Sequence, residues 1–94
     1  MKNELYTDQC LDFFSHLAIL VKEENNKQLK KWGIQERTLM EWLSYTTEEL
    51  GEVAKAIIEY TYRDGTKEEI IKESIQTATL CLKIAEMVSE SEPK

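Results

Sequence analysis

Hydrophobic positions recur along this chain with the spacing of amphipathic helices. In residues 5–32, apolar side chains return every three or four positions through the first half and give way to polar residues in the second half. Asn25 and Asn26 mark a point where this first helix could bend or break, and Gly33 is placed to cap its C-terminus. The apolar positions of the first half are Leu5, Cys10, Phe13, Phe14, Leu17, Leu20 and Val21.

Two capping boxes predict where two further helices begin. Thr38 is followed three residues later by Glu41, and Thr66 is followed in the same way by Glu69, so each pair can satisfy the free N–H groups of a first helical turn. An antiparallel helical hairpin is therefore expected, with its helices ending near Tyr62 and Ser89 and its turn at Asp64 and Gly65.

The apolar residues of the second helix fall in one arc, whereas those of the third helix extend most of the way round. The arc contains Trp42, Leu43, Leu50, Val53, Ile57 and Tyr60. The apolar positions of the third helix are Ile70, Ile71, Ile75, Ala78, Leu80, Cys81, Leu82, Ile84, Ala85, Met87 and Val88. Such a helix is buried on more than one side, which three helices alone cannot achieve. The predicted fold is an all-α bundle of three main helices per chain, with its core completed by dimerisation.

Length and composition predict a single domain, residues 1–94, with frayed ends at 1–4 and 90–94. The chain has 94 residues with one proline and three glycines, and no stretch has the composition of a linker. Its residues are 41% hydrophobic and 32% charged, which is typical of a folded domain. A domain this short buries only about 60% of the surface of its unfolded chain, so a partner subunit would add to the core.

The net charge of −6 and the pI near 4.8 argue against a general nucleic-acid-binding or membrane surface, because phosphate groups require basic patches. An anionic ligand would have to be bridged by cations. Cys10 and Cys81 are too few for a disulfide scaffold, and no apolar stretch resembles a signal peptide or a membrane span, so a cytoplasmic location is expected. His16 has no His or Cys at ligand spacing, which favours a packing or surface role.

Two pairs of oxygen-bearing side chains mirror each other about the predicted turn. Glu49 and Glu52 share a face of the second helix, as Glu73 and Gln76 do on the third. Positions 49 and 76 are equidistant from 62.5, so an antiparallel hairpin lays Glu49 opposite Gln76. Positions 52 and 73 are also equidistant from it, which lays Glu52 opposite Glu73. Three carboxylates and an amide are therefore predicted to converge roughly 15 to 20 Å from the turn.

An ordinary solvated helix face is the competing interpretation of these glutamates. Helical glutamates commonly pair with lysines three or four residues away. Glu52 with Lys55, or Glu69 with Lys72, could form such ion pairs. Spacing alone therefore leaves both interpretations open.

Three features of the second helix favour a ligand site. Glu48 and Glu52 are like charges one turn apart, a repulsion that a nearby cation would relieve. Glu49 borders the apolar arc, where an unpaired carboxylate is costly to desolvate. Gly51 costs a helix interior about 1 kcal/mol relative to alanine, which suggests that another backbone or a ligand approaches closely.

Oxygen ligands without His or Cys select Mg²⁺, or Mn²⁺, over zinc. Mg²⁺ commonly bridges a few carboxylates to substrate phosphates, so a site of this kind suits a polyphosphate. A di-iron centre also uses carboxylates in a helical bundle, but it needs Glu-x-x-His pairs, and His16 is in no such pattern.

A further pattern runs through residues 28–88. Its segments are Lys31-Trp32-Gly33-Ile34-Gln35, then Trp42, then residues 48–56, then a spacer of twenty residues, 53–72, and then Glu73-x-x-Gln76. These segments resemble the MazG-like family, whose motif is Glu-x-x-Glu, a spacer and Glu-x-x-Asp. The resemblance implies helical dimers or tetramers that use Mg²⁺ to cleave nucleoside triphosphates to monophosphates and pyrophosphate.

The resemblance also implies roles for particular residues. Glu49, Glu52 and Glu73 become metal ligands and catalytic residues, and Glu48 becomes a ligand or a water-orienting group beside them. Gln76 stands where the family usually has aspartate; its amide oxygen can ligate a cation but cannot act as a general base. The candidates for binding the nucleotide are Lys55, Lys72 and Lys83 at the phosphates and Trp32 at the base. A solubilising surface role is the alternative for these lysines, and packing as a cap of the bundle is the favoured alternative for Trp32.

Two other functions remain open at this point. A helical interaction module could have kept the bundle and lost its chemistry through Gln76, and it would bind metal weakly and turn over nothing. A regulator could sense a nucleoside triphosphate without cleaving it, and it would bind the nucleotide intact in the presence of Mg²⁺.

Overall fold

A computed structural model describes residues 2–33 and 36–90, and the side-chain surroundings of residues 12–33 and 36–89. The described chain forms three α-helices and no strand: α1 Lys2–Trp32, α2 Leu39–Tyr62 and α3 Lys67–Glu90. The predicted all-α fold is confirmed. Of the ends expected to fray, residues 1 and 91–94 lie outside the described residues, and residues 2–4 and 90 are helical.

The predicted weak point in α1 is not a break. The helix continues through Asn25 and Asn26 to Trp32. Asparagine is only a few tenths of a kcal/mol worse than average helix formers. Asn25 is also half-buried, so packing can outweigh that local preference. The helix ends as expected at Gly33, which has a φ of 70° and donates its N–H to the Leu29 carbonyl at 2.8 Å.

Side-chain caps begin both helices of the hairpin. Thr38 Oγ1 accepts from the Glu41 N–H at 3.1 Å, and Glu41 Oε1 accepts from the Thr38 N–H at 3.1 Å, which completes the first predicted capping box. The hydrogen bonds from Thr38 also lower the pKa of Glu41. At the start of α3, the Glu69 N–H donates to Thr66 Oγ1 at 3.2 Å. Local sequence therefore determines where α2 and α3 begin.

α3 is the central helix, and it packs against both α1 and α2. Within the described residues, α1 and α2 do not pack directly against each other. Among the residues whose side-chain surroundings are described, the buried core is small and consists of Trp42, Ala56, Leu80 and Thr79. Thr79 hides its hydroxyl by donating to the Ile75 carbonyl at 2.8 Å. No helix in the described part of the chain is long and apolar enough to cross a membrane.

Much of the predicted core surface is exposed in the single chain. Trp42 is buried at 8% exposure, but four other members of the α2 arc remain exposed because, within the described structure, α2 packs against α3 alone. On α3, Ile71, Leu82 and Val88 are also exposed. Four exposed apolar residues follow one side of α2 and are called the outer stripe: Leu39, Leu43, Leu50 and Ile57.

Two glycines of the hairpin have opposite surroundings. A Cβ on Gly65 would lie 2.6 Å from backbone atoms of Glu59 and Tyr60. A Cβ on Gly51 would meet nothing within 4 Å, so the close approach predicted at Gly51 does not come from the described part of this chain.

Alanine at these two glycines should therefore have opposite effects on stability. Gly65→Ala is expected to destabilise the fold by about 2 kcal/mol, because backbone atoms must move aside. Gly51→Ala is expected to stabilise α2 by about 1 kcal/mol in the isolated chain, since alanine is the better helix former. Urea unfolding of dilute protein measures both changes. Equal effects of the two substitutions would contradict the tight turn at Gly65.

Candidate metal centre

Side chains from α2 and α3 converge where the hairpin register places them. With its amide nitrogen facing the two carboxylates, Gln76 donates to Glu49 Oε2 at 3.2 Å and to Glu73 Oε2 at 3.1 Å. This orientation is the one that gives the amide hydrogen-bond partners of the right kind. Glu49 therefore lies against Gln76, as the midpoint at 62.5 predicts.

Helical spacing explains why these groups meet. Glu49 lies seven residues from both Trp42 and Ala56, the buried residues of α2, so its side chain projects toward α3. Glu73 and Gln76 are half-buried and lie three residues apart on the facing side of α3. Burial of the hairpin core thus forces two carboxylates and an amide together.

The centre is short of positive charge. Partial burial raises the pKa of Glu49 above its ordinary value, and the negative charge of Glu73 raises it further. A protonated Glu49 can also donate a hydrogen bond to Glu73, and the charges of Glu52 and Glu48 act in the same direction. A cation placed between these carboxylates would relieve the repulsion.

Glu49→Gln is expected to stabilise the protein at neutral pH in the presence of a chelator. Because the folded state raises the pKa of Glu49, it holds this proton more tightly than the unfolded state does. The stabilisation is present below the ordinary pKa of glutamate and is lost as pH rises through the raised pKa. Glutamine stays neutral at every pH. The Tm of the variant should therefore exceed that of the wild type by an amount that grows as pH rises from the ordinary pKa of glutamate through the raised pKa of Glu49.

The expected gain at neutral pH is about 0.5 kcal/mol, the size of a like-charge pair, or roughly 2 to 4 °C for a small domain. Melting curves recorded in a chelator from acidic to neutral pH measure it. A Tm difference that is independent of pH would contradict the desolvation of Glu49.

The remaining predicted carboxylates lie at the edge of the centre. Glu48 and Glu52 are exposed. Among the described residues, no group of three or more His, Cys, Asp or Glu side chains is arranged to hold a metal ion. The set that meets directly is therefore Glu49, Glu73 and Gln76, and the Gln76 amide lies between the carboxylates where a cation would bind.

A groove of about 940 Å³ opens beside this set, between α1 and α2 and above α3. Glu49 and Gln76 form part of its wall. Its other walls combine aromatic and aliphatic side chains with polar and charged ones from α1, from the connection that follows α1 and from α3. The groove and the carboxylates together make one continuous site.

The predicted nucleotide-binding residues divide between different surfaces. Trp32 and Lys83 line the groove. Lys72 instead lines a smaller groove of about 380 Å³ between α1 and α3, and Lys55 is exposed on α2. The ion pairs expected for a solvated face, Glu52 with Lys55 and Glu69 with Lys72, are not among those formed by the described residues.

The groove residues that lie outside the predicted site include four with side chains able to form hydrogen bonds to a ligand, namely Asn25, Gln28, Arg37 and Tyr45. Arg37 Nη1 donates to the Tyr45 hydroxyl at 2.9 Å, and its guanidinium lies 4.7 Å from the centre of the Tyr45 ring. Asn25 and Gln28 line the α1 wall. Of the four, only Asn25 has a local signal, as an asparagine in the middle of a helix, where its type is disfavoured.

The function of this centre has to be inferred from its own chemistry, because comparisons with known proteins provide no relative. Its carboxylates, its amide and the groove beside them are the features that a function has to explain. No protein-family model, no curated protein and no solved structure matches this chain.

Proposed function

We propose that this chain is an Mg²⁺-dependent, MazG-like nucleoside triphosphate pyrophosphohydrolase that converts (d)NTP to (d)NMP and pyrophosphate. The observation that supports it most is the meeting of Glu49, Glu73 and Gln76, because Glu49 and Gln76 also line the 940 Å³ groove. Two repelling carboxylates there favour a cation, and the groove has room for the organic part of a nucleotide. The cytoplasm, where such substrates occur, is the proposed location.

The donor set fits Mg²⁺. This ion takes oxygen ligands, keeps several waters, and is usually held by one or two carboxylates together with substrate phosphates. Glu49 and Glu73 would supply the carboxylates, and rotation of the Gln76 amide would turn its oxygen toward the ion. Glu52 would reach the ion directly or through water. When bound, Mg²⁺ would neutralise phosphate oxygens and lower the pKa of a bound water.

The chain's own residues would position the reactants. In the proposed reaction, water would attack the α-phosphorus and form a new P–O bond while the bond from this phosphorus to the α,β-bridging oxygen breaks. Pyrophosphate would leave, and the proton of the water would pass to solvent. Glu48, exposed beside the centre, would orient this water. Lys83 is half-buried in the groove and is the best placed of the three lysines to contact phosphate, while Trp32 would stack on the base. Lys72 and Lys55, which lie outside the groove, would contribute less.

A second copy of the chain is proposed to cover the outer stripe of α2, giving a homodimer or a tetramer. The four buried residues of the described part of the chain make a small core for an independently stable domain. Leu50 and Ile57 are exposed by 58% and 45%, and Gly51 beside them leaves room for another backbone. The apolar side that α2 leaves open and the small core support the same assembly.

Incubation with Mg²⁺ and a panel of NTPs, dNTPs and modified nucleotides, followed by phosphorus NMR, tests the activity. Pyrophosphate and monophosphate are the expected products. Release of orthophosphate would contradict the mechanism. Tight binding of an intact triphosphate would support the sensing regulator, which the Gln76 bridge favours as the second candidate. If the protein neither binds nor cleaves any of these nucleotides, the result would support the interaction module.

Gln76→Asp is expected to tighten Mg²⁺ binding on the order of tenfold, since a third charged oxygen adds roughly 1.4 kcal/mol to the affinity. Without metal, the same change should destabilise the fold by about 1 to 3 kcal/mol, because it removes two hydrogen bonds and places a third carboxylate in the half-buried set. Calorimetric titration with Mg²⁺ and melting curves in a chelator measure the two effects. Weaker metal binding would mean that position 76 does not face the ion.

A further inference from the structure

The hairpin of α2 and α3 has one side that faces away from the groove. Each residue turns a helix by about 100°, so residues two positions apart point in nearly opposite directions. On α2, Leu43 of the outer stripe lies two positions before Tyr45, which lines the groove. On α3, four small residues each lie two positions before a groove residue and are called the small-residue face: Ser74, Ala78, Cys81 and Ala85. The outer stripe and the small-residue face therefore share the side of the hairpin away from the groove.

This side of the hairpin is uncharged, although 32% of the residues in the chain are charged. The residues that lie among the outer stripe and the small-residue face on the same side are also uncharged: Thr46, Thr47, Ala54 and Thr77. Each chain has a net charge of −6, so contact between two copies through an acidic face would bring like charges together. An uncharged face avoids this repulsion, which makes a second copy a suitable partner for it.

The chain exposes more surface than a folded monomer of its size. Its accessible surface is 7954 Å², whereas folded monomers of 11.0 kDa expose roughly 5,600 Å². The excess of roughly 2,300 Å² falls in the range of about 1,000 to 2,500 Å² that each subunit of an obligate dimer buries. The four half-exposed side chains of the outer stripe supply only on the order of a few hundred Å². Contact with a second copy therefore has to include more of the chain than the outer stripe.

The two halves of this side differ in the size of their side chains. The outer stripe consists of leucine and isoleucine, whereas the small-residue face has no side chain larger than cysteine. In a two-fold dimer the same surface of both copies meets, so each part of it can contact the other part on the partner. The large side chains of α2 in one copy can then lie on the small side chains of α3 in the other, where helices can approach closely.

We propose that the outer stripe and the small-residue face of one chain pack against the same surface of a second copy, so that two hairpins form a four-helix bundle. The proposal extends the contact with the second copy from α2 to α3, and it does not depend on the proposed chemistry. The groove and the metal centre lie on the other side of each hairpin, so they stay open to a ligand in the dimer.

Crosslinking through Cys81 tests this contact without altering the face. The Cys81 thiol is free and exposed in the single chain, and Cys10→Ser leaves it as the only thiol. A short bis-maleimide should then join two chains through Cys81. The control is Glu86→Cys combined with Cys10→Ser and Cys81→Ser, because Glu86 is exposed on the groove side of α3.

At micromolar protein, crosslinking through Cys81 should be on the order of a hundredfold faster than through the control thiol, because groups held close together meet at an effective concentration on the order of millimolar. Its yield should not change on moderate dilution, since both thiols belong to one dimer. Equal rates for the two thiols, or a yield that falls in proportion to dilution, would overturn the proposal.

Ala85→Glu tests the small-residue face in solution. Ala85 is exposed in the single chain, so the substitution spares the contacts within the hairpin. It should raise the dissociation constant of the dimer by on the order of a hundredfold or more, because it places an unpaired carboxylate in an apolar interface. Ala18→Glu is the matched control, since Ala18 is an exposed alanine of α1, and it should leave the dissociation constant unchanged. Sedimentation velocity over a range of concentrations measures both.

A dimer that tolerates Ala85→Glu, or that is weakened equally by Ala18→Glu, would overturn the assignment of the small-residue face. Crosslinking through Cys81 decides the question even where Ala85→Glu does not fold. The interface and the enzyme can also fail separately. A dimer crosslinked through Cys81 that cleaves no nucleotide would support the interface and contradict the proposed enzyme. Turnover by a chain that sediments as a monomer would support the enzyme and overturn the interface.

Discussion

Glu73→Gln is expected to lower the rate of pyrophosphate release by about a hundredfold or more, the usual cost of removing a group that stabilises charge in the transition state. Glu73 is half-buried, and Gln76 links it to Glu49 through bonds of 3.1 and 3.2 Å. Glutamine keeps the shape of the side chain and an oxygen acceptor, but it removes a negative charge that would hold Mg²⁺. Steady-state rates at several Mg²⁺ concentrations measure the loss, and a requirement for more Mg²⁺ identifies its cause.

Glu52→Gln should also slow the reaction, by a smaller factor because Glu52 is exposed at the edge of the centre. Glu68→Gln is the matched control, since Glu68 is an exposed glutamate of α3 that lines the smaller groove. It should leave turnover unchanged. Unchanged turnover in both Glu73→Gln and Glu52→Gln would contradict the assignment of these carboxylates to the active site.

Ile57→Glu is expected to dissociate the proposed oligomer and to lower the Tm of the protein. Ile57 belongs to the outer stripe and is 45% exposed in the single chain. If a second copy covers it, the substitution places a charge in an apolar interface, at a cost of several kcal/mol. Sedimentation velocity measures the change of mass, and melting curves at two protein concentrations measure the coupled loss of stability.

Tyr62→Glu provides the comparison for this experiment. Tyr62 is also an exposed apolar residue of α2, at 80%, but it lies at the helix end and away from the outer stripe. Its replacement should change neither mass nor Tm appreciably. A wild-type protein that sediments as a monomer at high concentration would contradict the second copy, and the exposed stripe would then need another partner.

The helix boundaries were predictable because they depend on neighbouring residues. Thr38 with Glu41 marks the start of α2, and Gly33 marks the end of α1, through hydrogen bonds that span only a few residues. The helix break predicted at Asn25 and Asn26 is absent, and the reason is not local. Asn25 is packed by the rest of the fold, and tertiary contacts outweigh the local preference of asparagine.

The meeting of Glu49 with Gln76 was also predictable, because an antiparallel hairpin has one midpoint and a fixed rise per residue. The groove was not. It depends on the angle at which α1 crosses α3, and no periodicity in the chain encodes that angle. The contact between Arg37 and Tyr45 was not predictable either. It joins the connection after α1 to a residue of α2 eight positions later, at 2.9 Å, and helical spacing does not pair such positions.

The position of α3 between the other two helices divides the molecule into units of unequal local stability. α2 and α3 share the longer interface and are neighbours in the chain, so this hairpin can close with little loss of chain entropy. α1 packs on α3 without direct support from α2 in the described structure. In amide hydrogen exchange, α1 should therefore open at a lower free energy than the hairpin. The groove would then widen and narrow with α1 while Glu49 and Glu73 remain assembled.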